Sequence, residues 1–388
     1  MTADAGAKPK APAHLNSLDG ARGIAAFLVM VGHSAYVLRD SGAPSAAIGS
    51  ALRVIYRTGH PAVLLFFVLS GFVLYVANWG KVTPWSTYVV RRLFRLYPAL
   101  LASIVAALAL HMLQNPQLEP GLGAWTTAGW VYGVDGLMVL RHLLMLGINS
   151  DDIRLNPVIW SLVLELRFSI IFLALAALCR RSRWLFAALS LAAYIAGLLL
   201  AQHLDLRPPF LTGKSLVGSL AVTLFYLPAF SFGILAADLF LSRPDWRAWR
   251  IPTWSHIPLA LAALVVAKLA NNDLVWAASC AVVILVACLQ GPLRTLLQVA
   301  PCTFLGRISY SLYLIHFPIL MALTYLCHPQ IPLIVPVLVA PTLSILAATA
   351  MHAWIELPGI EAGKRVGAAM ARWRMDATRP DAGNPKSN

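Results

Sequence analysis

The chain has 388 residues, of which 59% are hydrophobic and only 12% charged. Its mean hydropathy of +0.72 excludes an ordinary water-soluble domain. A net charge of +14 does not imply a nucleic-acid partner, because the basic residues sit in short loops between apolar runs, where they set topology and meet anionic head groups or substrates.

Residues 1–14 are rich in Ala, Pro and Lys and read as a disordered tail. The first apolar run, Ser17 to Tyr36, carries an arginine at its entrance and a histidine inside. Arg22 and His33 are eleven residues apart, close to a whole number of turns, so they share a helix face about 16 Å apart along the axis. Asn16 or Asp19 can cap the start. The run imitates a signal peptide, but its internal histidine and the many spans that follow predict a retained helix. A charged or titratable residue inside an apolar span points to a functional site. The plainer alternative is that Arg22 is an anchor and His33 a packing residue.

His60 to Trp79 reads as the second span, with Ser70-Gly71 as a contact point for a neighbouring helix. A short helix from Tyr88 to Pro98 then carries Arg91, Arg92 and Arg95. Arg92 and Arg95 lie on one face, and guanidinium forks suit phosphate oxygens; a topology signal alone is the competing account. Ala99 to Leu113 is the third span. The stretch to Pro157 is mixed, and its apolar piece at Leu137–Ile148 is too short to cross a bilayer, so it is expected to be interfacial.

The fourth span, Asn156 to Leu178, places Ser161, Glu165 and Ser169 on one face. A carboxylate at that depth needs a partner or a proton. Arg167 falls about 200° away from Glu165 and is expected to face elsewhere. Further spans follow at Trp184–Leu204, Ser215–Leu241, His256–Ala270 and Leu274–Gln290, with Arg243, Arg247 and Arg250 in the loop between the second and third of these. The ninth opens at Gly306–Pro318, where Ser309, Tyr313 and His316 make another polar stripe. The tenth, Leu333 to Ile355, holds His352. The cysteines (179, 280, 288, 302 and 327) show neither disulfide nor zinc spacing and read as packing residues. No pair among His33, His316, His352 and Glu165 has tight ligand spacing, so no metal is expected.

The fold class is therefore all-α integral membrane, a polytopic bundle of about ten transmembrane helices over residues 15–358, followed by a basic tail at 359–388. Ten spans place both termini on one side, and 21 of the 30 Lys and Arg residues fall on that side, which the positive-inside rule makes cytoplasmic.

Five stretches, LDGARGIAAFLVMVGHS, FFVLSGFVL, RRLFRLYP, PVIWSLVLELRF and FLGRISYSLYLIHFP, resemble in this order the acyltransferase family 3 integral-membrane proteins, of the stand-alone type without an esterase-like domain. The resemblance spans about residues 15–358. It implies transfer of an acetyl or other acyl group from a cytoplasmic thioester, usually acetyl-CoA, to hydroxyls of a carbohydrate such as a surface polysaccharide, an O-antigen or a lipid-linked sugar. Some members acylate macrolides instead. It further implies a bacterial inner-membrane protein, with acyl-CoA as co-substrate and no tightly bound cofactor. The family's first-helix arginine and histidine match Arg22 and His33, its RxxR matches Arg92 and Arg95, and its WSLxxE glutamate matches Glu165. One departure is Phe168-Ser169, where members often have Phe-Tyr.

On this basis Arg22, Arg92 and Arg95 are expected to hold the donor, and His33 to act as base or transient acyl carrier. Glu165 would orient His33 or polarise the acceptor. Asp19, Ser161, Ser309, Tyr313 and His316 are expected to line the cavity. The competing class is a transporter or flippase of polysaccharide or lipid-linked sugar, in which the same residues form a relay. It predicts matched sequence halves, and none are visible.

Overall fold

The computed structural model describes residues 15–42, 46–206, 212–242 and 251–377. The tail expected to be disordered over 1–14, the arginines Arg243, Arg247 and Arg250, and the end of the basic tail from 378 lie outside the described residues. The long helices are α1 (Asn16–Asp40), α3 (Gly59–Ala77), α4 (Trp85–Gln114), α7 (Ile159–Arg181), α8 (Arg183–His203), α9 (Leu216–Ser242), α10 (His256–Ala270), α11 (Asp273–Cys288), α13 (Ala300–Cys327), α14 (Ile334–Met351) and α15 (Leu357–Ala377). Between them lie shorter ones: α2 (Ala46–Tyr56), α5 (Ala124–Ala128), α6 (Gly136–Leu143) and α12 (Pro292–Leu297).

Among the described residues there is no strand, and nine helical stretches are long and apolar enough to cross a membrane. The expected span missing from these nine is the eighth, α11, which has only 16 residues and so rises about 24 Å. It stops at Cys288 because Leu289 turns extended (ψ 154) and Pro292 opens α12. The bundle is all-α and polytopic, as expected.

α13 is the central element, packed against α1, α14 and α4. Its contact with α1 is made by two glycines. A Cβ on Gly23 would sit 2.4 Å from the Gly306 nitrogen, and one on Gly306 2.2 Å from the Asp19 carbonyl oxygen. With no side chain at either place the two backbones touch, the usual close approach of membrane helices. Pro318 lies inside α13 and cannot bond the carbonyl of Leu314. Asn156 Nδ2 donates to that carbonyl at 2.8 Å, which satisfies the freed acceptor and pins the segment before α7 to α13.

Three expectations are corrected. Neither Asn16 nor Asp19 caps α1: the helix begins at Asn16 after Leu15, with no side-chain cap, and Asp19 instead pairs with Arg22 at 3.6 Å. The arginine segment is not a separate short helix. α4 runs unbroken from Trp85 to Gln114 through Pro98, supported there by the Tyr310 hydroxyl, which donates to the Leu96 carbonyl at 2.7 Å. The tenth span does not end at Ile355. A π-helical turn at His352–Glu356 carries α14 directly into α15, which packs along α4, with Gly359 against Pro98 and Gly363 against Phe94.

Candidate active site

α1, α3, α4, α7, α13 and the α14–α15 junction enclose a cavity of 1140 Å³, larger than the roughly 300–1,000 Å³ of ordinary small-molecule sites. Its walls carry Arg22, Arg91, Arg92, Arg95, Arg307, Lys81 and Lys364 against Asp19, Glu165 and Glu356. The cations gather because α1 and α13 begin, and α3 ends, at this end of the bundle, while α4 brings its arginines alongside. Of the residues expected to line the cavity, Asp19, Ser161, Ser309 and Tyr313 do so, as do Arg22, Arg92, Arg95 and Glu165.

Arg92 and Glu165 form an ion pair at 2.8 Å. Arg92 also donates to Ser169 Oγ through Nε (3.2 Å) and Nη2 (3.0 Å), and the Ser70 hydroxyl donates to Glu165 Oε1 at 3.1 Å. Ser169, where the resemblance implies a tyrosine, therefore supplies a hydroxyl to Arg92. Charge-assisted bonds of this kind contribute about 1.5–3 kcal/mol each. Glu165 does not orient His33: its bonds go to α4 and α3, because its place on α7 is one turn nearer the arginines than Ser161. Arg95 makes no hydrogen bond or ion pair among the described residues, so its charge faces the cavity unspent. Arg167 does face elsewhere. It donates to the Leu146 carbonyl (2.6 Å), to Ser219 and to Thr223 Oγ1 (2.6 Å), tying the segment before α7 to α9.

At the far end of the cavity, the Tyr313 hydroxyl donates to the Val158 carbonyl at 3.0 Å and lies 2.7 Å from Ser161 Oγ, which donates to it. One turn further along α13 is His316. It does not line the cavity, contrary to expectation, because it is 1% exposed and sits 6.0 Å behind the Tyr313 ring. His316 Nδ1 lies 3.0 Å from the Leu312 carbonyl and Nε2 lies 2.9 Å from His33 Nδ1. His33, half-buried, also lies outside the cavity lining. On its other side Trp125 of α5 stacks at 6.0 Å between ring centres and Phe317 meets it edge-on at 5.7 Å. α5 is held there by Asp40 at the end of α1, which accepts from the Thr126 nitrogen (2.9 Å) and hydroxyl (3.0 Å).

The hydrogen bonds fix the proton positions in the neutral pair. A carbonyl only accepts, so His316 Nδ1 carries the hydrogen and its Nε2 the lone pair; His33 Nδ1 then donates, and His33 Nε2 is left with a lone pair. A bare imidazole nitrogen backed by an acceptor is the arrangement of a base or a nucleophile. Sequence reasoning passed over Ser70, Arg307, Lys364, Glu356 and Trp125. Lys364 and Glu356 lay past the end assigned to the tenth span, and Trp125 lay in a stretch with no periodicity.

The family model described as an acyltransferase domain matches residues 15–352, which takes in all of these residues except Glu356 and Lys364. The chain is similar to the acyltransferase MdmB of Streptomyces mycarofaciens, 29% identical over 331 residues that cover 80% of each chain. No solved structure matches. This chain belongs to acyltransferase family 3 and is a multi-pass membrane enzyme that transfers acyl groups.

Proposed function

We propose that this protein moves an acetyl or other acyl group from an acyl-CoA to a hydroxyl of a carbohydrate. The observation that carries the proposal is the order of groups along the bundle axis: a cationic cavity, the Ser161–Tyr313 contact at its far end, and beyond that contact the His316–His33 pair. A donor with several phosphates fits the unpaired Arg95 and its neighbours, and its long arm would carry the thioester towards His33. His33 Nε2 takes the acceptor's hydroxyl proton as that oxygen attacks the thioester carbonyl, or attacks first and carries the acyl group itself. In both cases the positive charge on His33 is steadied by the His316 lone pair. The protein resides in the bacterial inner membrane with both termini cytoplasmic, so the cavity opens to the compartment that holds acyl-CoA.

Membrane vesicles given radiolabelled acetyl-CoA test the proposal. Release of free CoA together with label in the glycan fraction supports it. Label that crosses the membrane with the thioester intact would instead fit a transporter.

A further inference from the structure

The cavity has a second titratable pair, on the wall formed by the α14–α15 junction, that acyl transfer through His33 does not use. Glu356 is 3% exposed. Its Oε2 accepts from the Ser311 hydroxyl at 2.8 Å and from His352 Nδ1 at 2.9 Å. His352 lines the cavity with 18% of its side chain exposed. Because Nδ1 is engaged, Nε2 is the nitrogen left for a ligand. The pair sits in the π-helical turn between α14 and α15, and such turns recur at functional sites. A purely structural tie between α13 and this turn is already made by Ser311 and Glu356, and it needs no imidazole.

Position along the bundle gives the pair its role. Ser311 lies four residues beyond the cavity arginine Arg307 and five before His316, about 7.5 Å short of it along the axis. Along the bundle axis, Ser311 and the Glu356 carboxylate it holds are therefore on the donor's side of His33. We infer that His352, oriented by Glu356, protonates the departing thiolate of the acyl donor, an inference that rests on the thioester reading proposed above.

The step balances as follows. The new bond forms between the acyl carbon and His33 Nε2 or the acceptor oxygen, whose proton His33 removes. The carbon–sulfur bond breaks with its electron pair going to sulfur. The thiolate then takes the proton from Nε2 of a protonated His352, which is recharged from cavity water. The Glu356 carboxylate balances the imidazolium, so that it faces an anion as well as the surrounding guanidiniums. His352 is then a catalytic residue and Glu356 a positioning residue.

Thiol release from two small thioesters, S-acetyl-N-acetylcysteamine and phenyl thioacetate, tests this in membrane vesicles that carry the full chain. An alkyl thiolate needs a proton to leave well, whereas thiophenolate is a far weaker base and does not. His352→Gln is expected to lose roughly 10²-fold with the alkyl thioester, the low end for a positioned acid, and little with the aryl one. Glu356→Gln, which keeps the shape and the contact to Ser311, should shift the same ratio in the same direction. His33→Ala should lose both substrates. The ratio within one preparation does not depend on how much protein has folded. Equal losses with both thioesters in His352→Gln, or an unchanged ratio in Glu356→Gln, overturn the inference. If the wild type releases no thiol from acetyl-CoA in the same vesicles, the thioester reading itself fails.

Discussion

His33 and His316, 283 positions apart in sequence, meet at 2.9 Å with Nδ1 of the first facing Nε2 of the second. The Leu312 carbonyl sets the tautomer of His316, and His316 in turn sets that of His33. His33→Ala is therefore expected to reduce transfer at least ~10²-fold with donor binding intact. His33→Gln should do no better, since an amide cannot accept the proton. His316→Leu leaves the His33 Nδ1 hydrogen without its acceptor and should lower kcat with little change in the donor KM. His316→Gln restores an acceptor and should recover part of the loss. Steady-state kinetics on the four variants check this, and an unchanged kcat in His316→Leu would contradict it.

The two arginines of α4 are predicted to part company. Arg92 is committed to Glu165 and Ser169, whereas Arg95 has no protein partner among the described residues. Arg95→Ala should raise the donor KM most, and more at low ionic strength. Arg92→Ala strands the Glu165 carboxylate and should lower turnover and the amount of folded protein. Arg92→Lys should rescue only in part, because an ammonium cannot serve Glu165 and Ser169 with one planar fork. Glu165→Gln should cut turnover by about tenfold or more. A double-mutant cycle between Arg92 and Glu165 should give a coupling on the order of 1–3 kcal/mol; additive effects would show that the pair contributes nothing.

Much of this site was legible in the sequence, for a simple reason. A charged or polar residue in an apolar run stands out, and helical spacing assigns its face. Arg92, Glu165, Ser161 and Tyr313 were found in that way, and Arg167 was turned away from them. What spacing cannot show is which faces of distant helices meet. Glu165 was expected to orient His33 or polarise the acceptor, and the first is excluded because it meets α4 and α3; His316 was placed on the cavity wall when it lies behind Tyr313. Two signals were read too literally. Pro98 was taken as a helix boundary, yet neighbouring helices support the chain there. Residue 359 was taken as the start of a tail, but Gly359 is the small residue that lets α15 lie on Pro98.

The charge distribution predicts the topology in a way the bundle alone does not. With 21 of the 30 basic residues falling on the side of the termini if the chain crosses ten times, reporter fusions after Lys81 and Arg183 should report cytoplasm and one near Pro120 the opposite side. A C-terminal fusion reporting the opposite side would refute an even number of spans.

The α1–α13 contact should tolerate no added carbon. A Cβ at residue 23 meets backbone at 2.4–2.7 Å on three atoms, none of which can rotate away. Gly23→Ala is thus expected to cost about 1–3 kcal/mol through forced separation of the helices. Because Arg22 and His33 ride on α1 while His316 rides on α13, activity should fall further than folded protein does. Thermal unfolding in detergent alongside kcat checks both. A variant as stable and as active as the wild type would show that the helices do not touch there.

The segment between α4 and α7 should loosen in acid, through one histidine outside the spans. His142 of α6 is fully buried. It donates from Nδ1 to the Met138 carbonyl at 3.1 Å and accepts the Leu155 N–H on Nε2 at 3.0 Å, which requires the neutral ring. Burial pushes its pKa below the usual 6.5, opposed in part by the Met138 and Ile153 backbone and by Asp152. With the folded pKa depressed, the unfolded segment binds more protons between the two values. The stabilisation is therefore complete above 6.5 and is lost as pH falls through the folded value. Hydrogen exchange over residues 142–156, corrected for intrinsic rates, should show protection at neutral pH that declines as pH falls below 6.5. His142→Gln keeps one donor and one acceptor without titrating, so its protection should be flat with pH. PH-independent protection in the wild type, or the same decline in His142→Gln, would remove His142 as the cause.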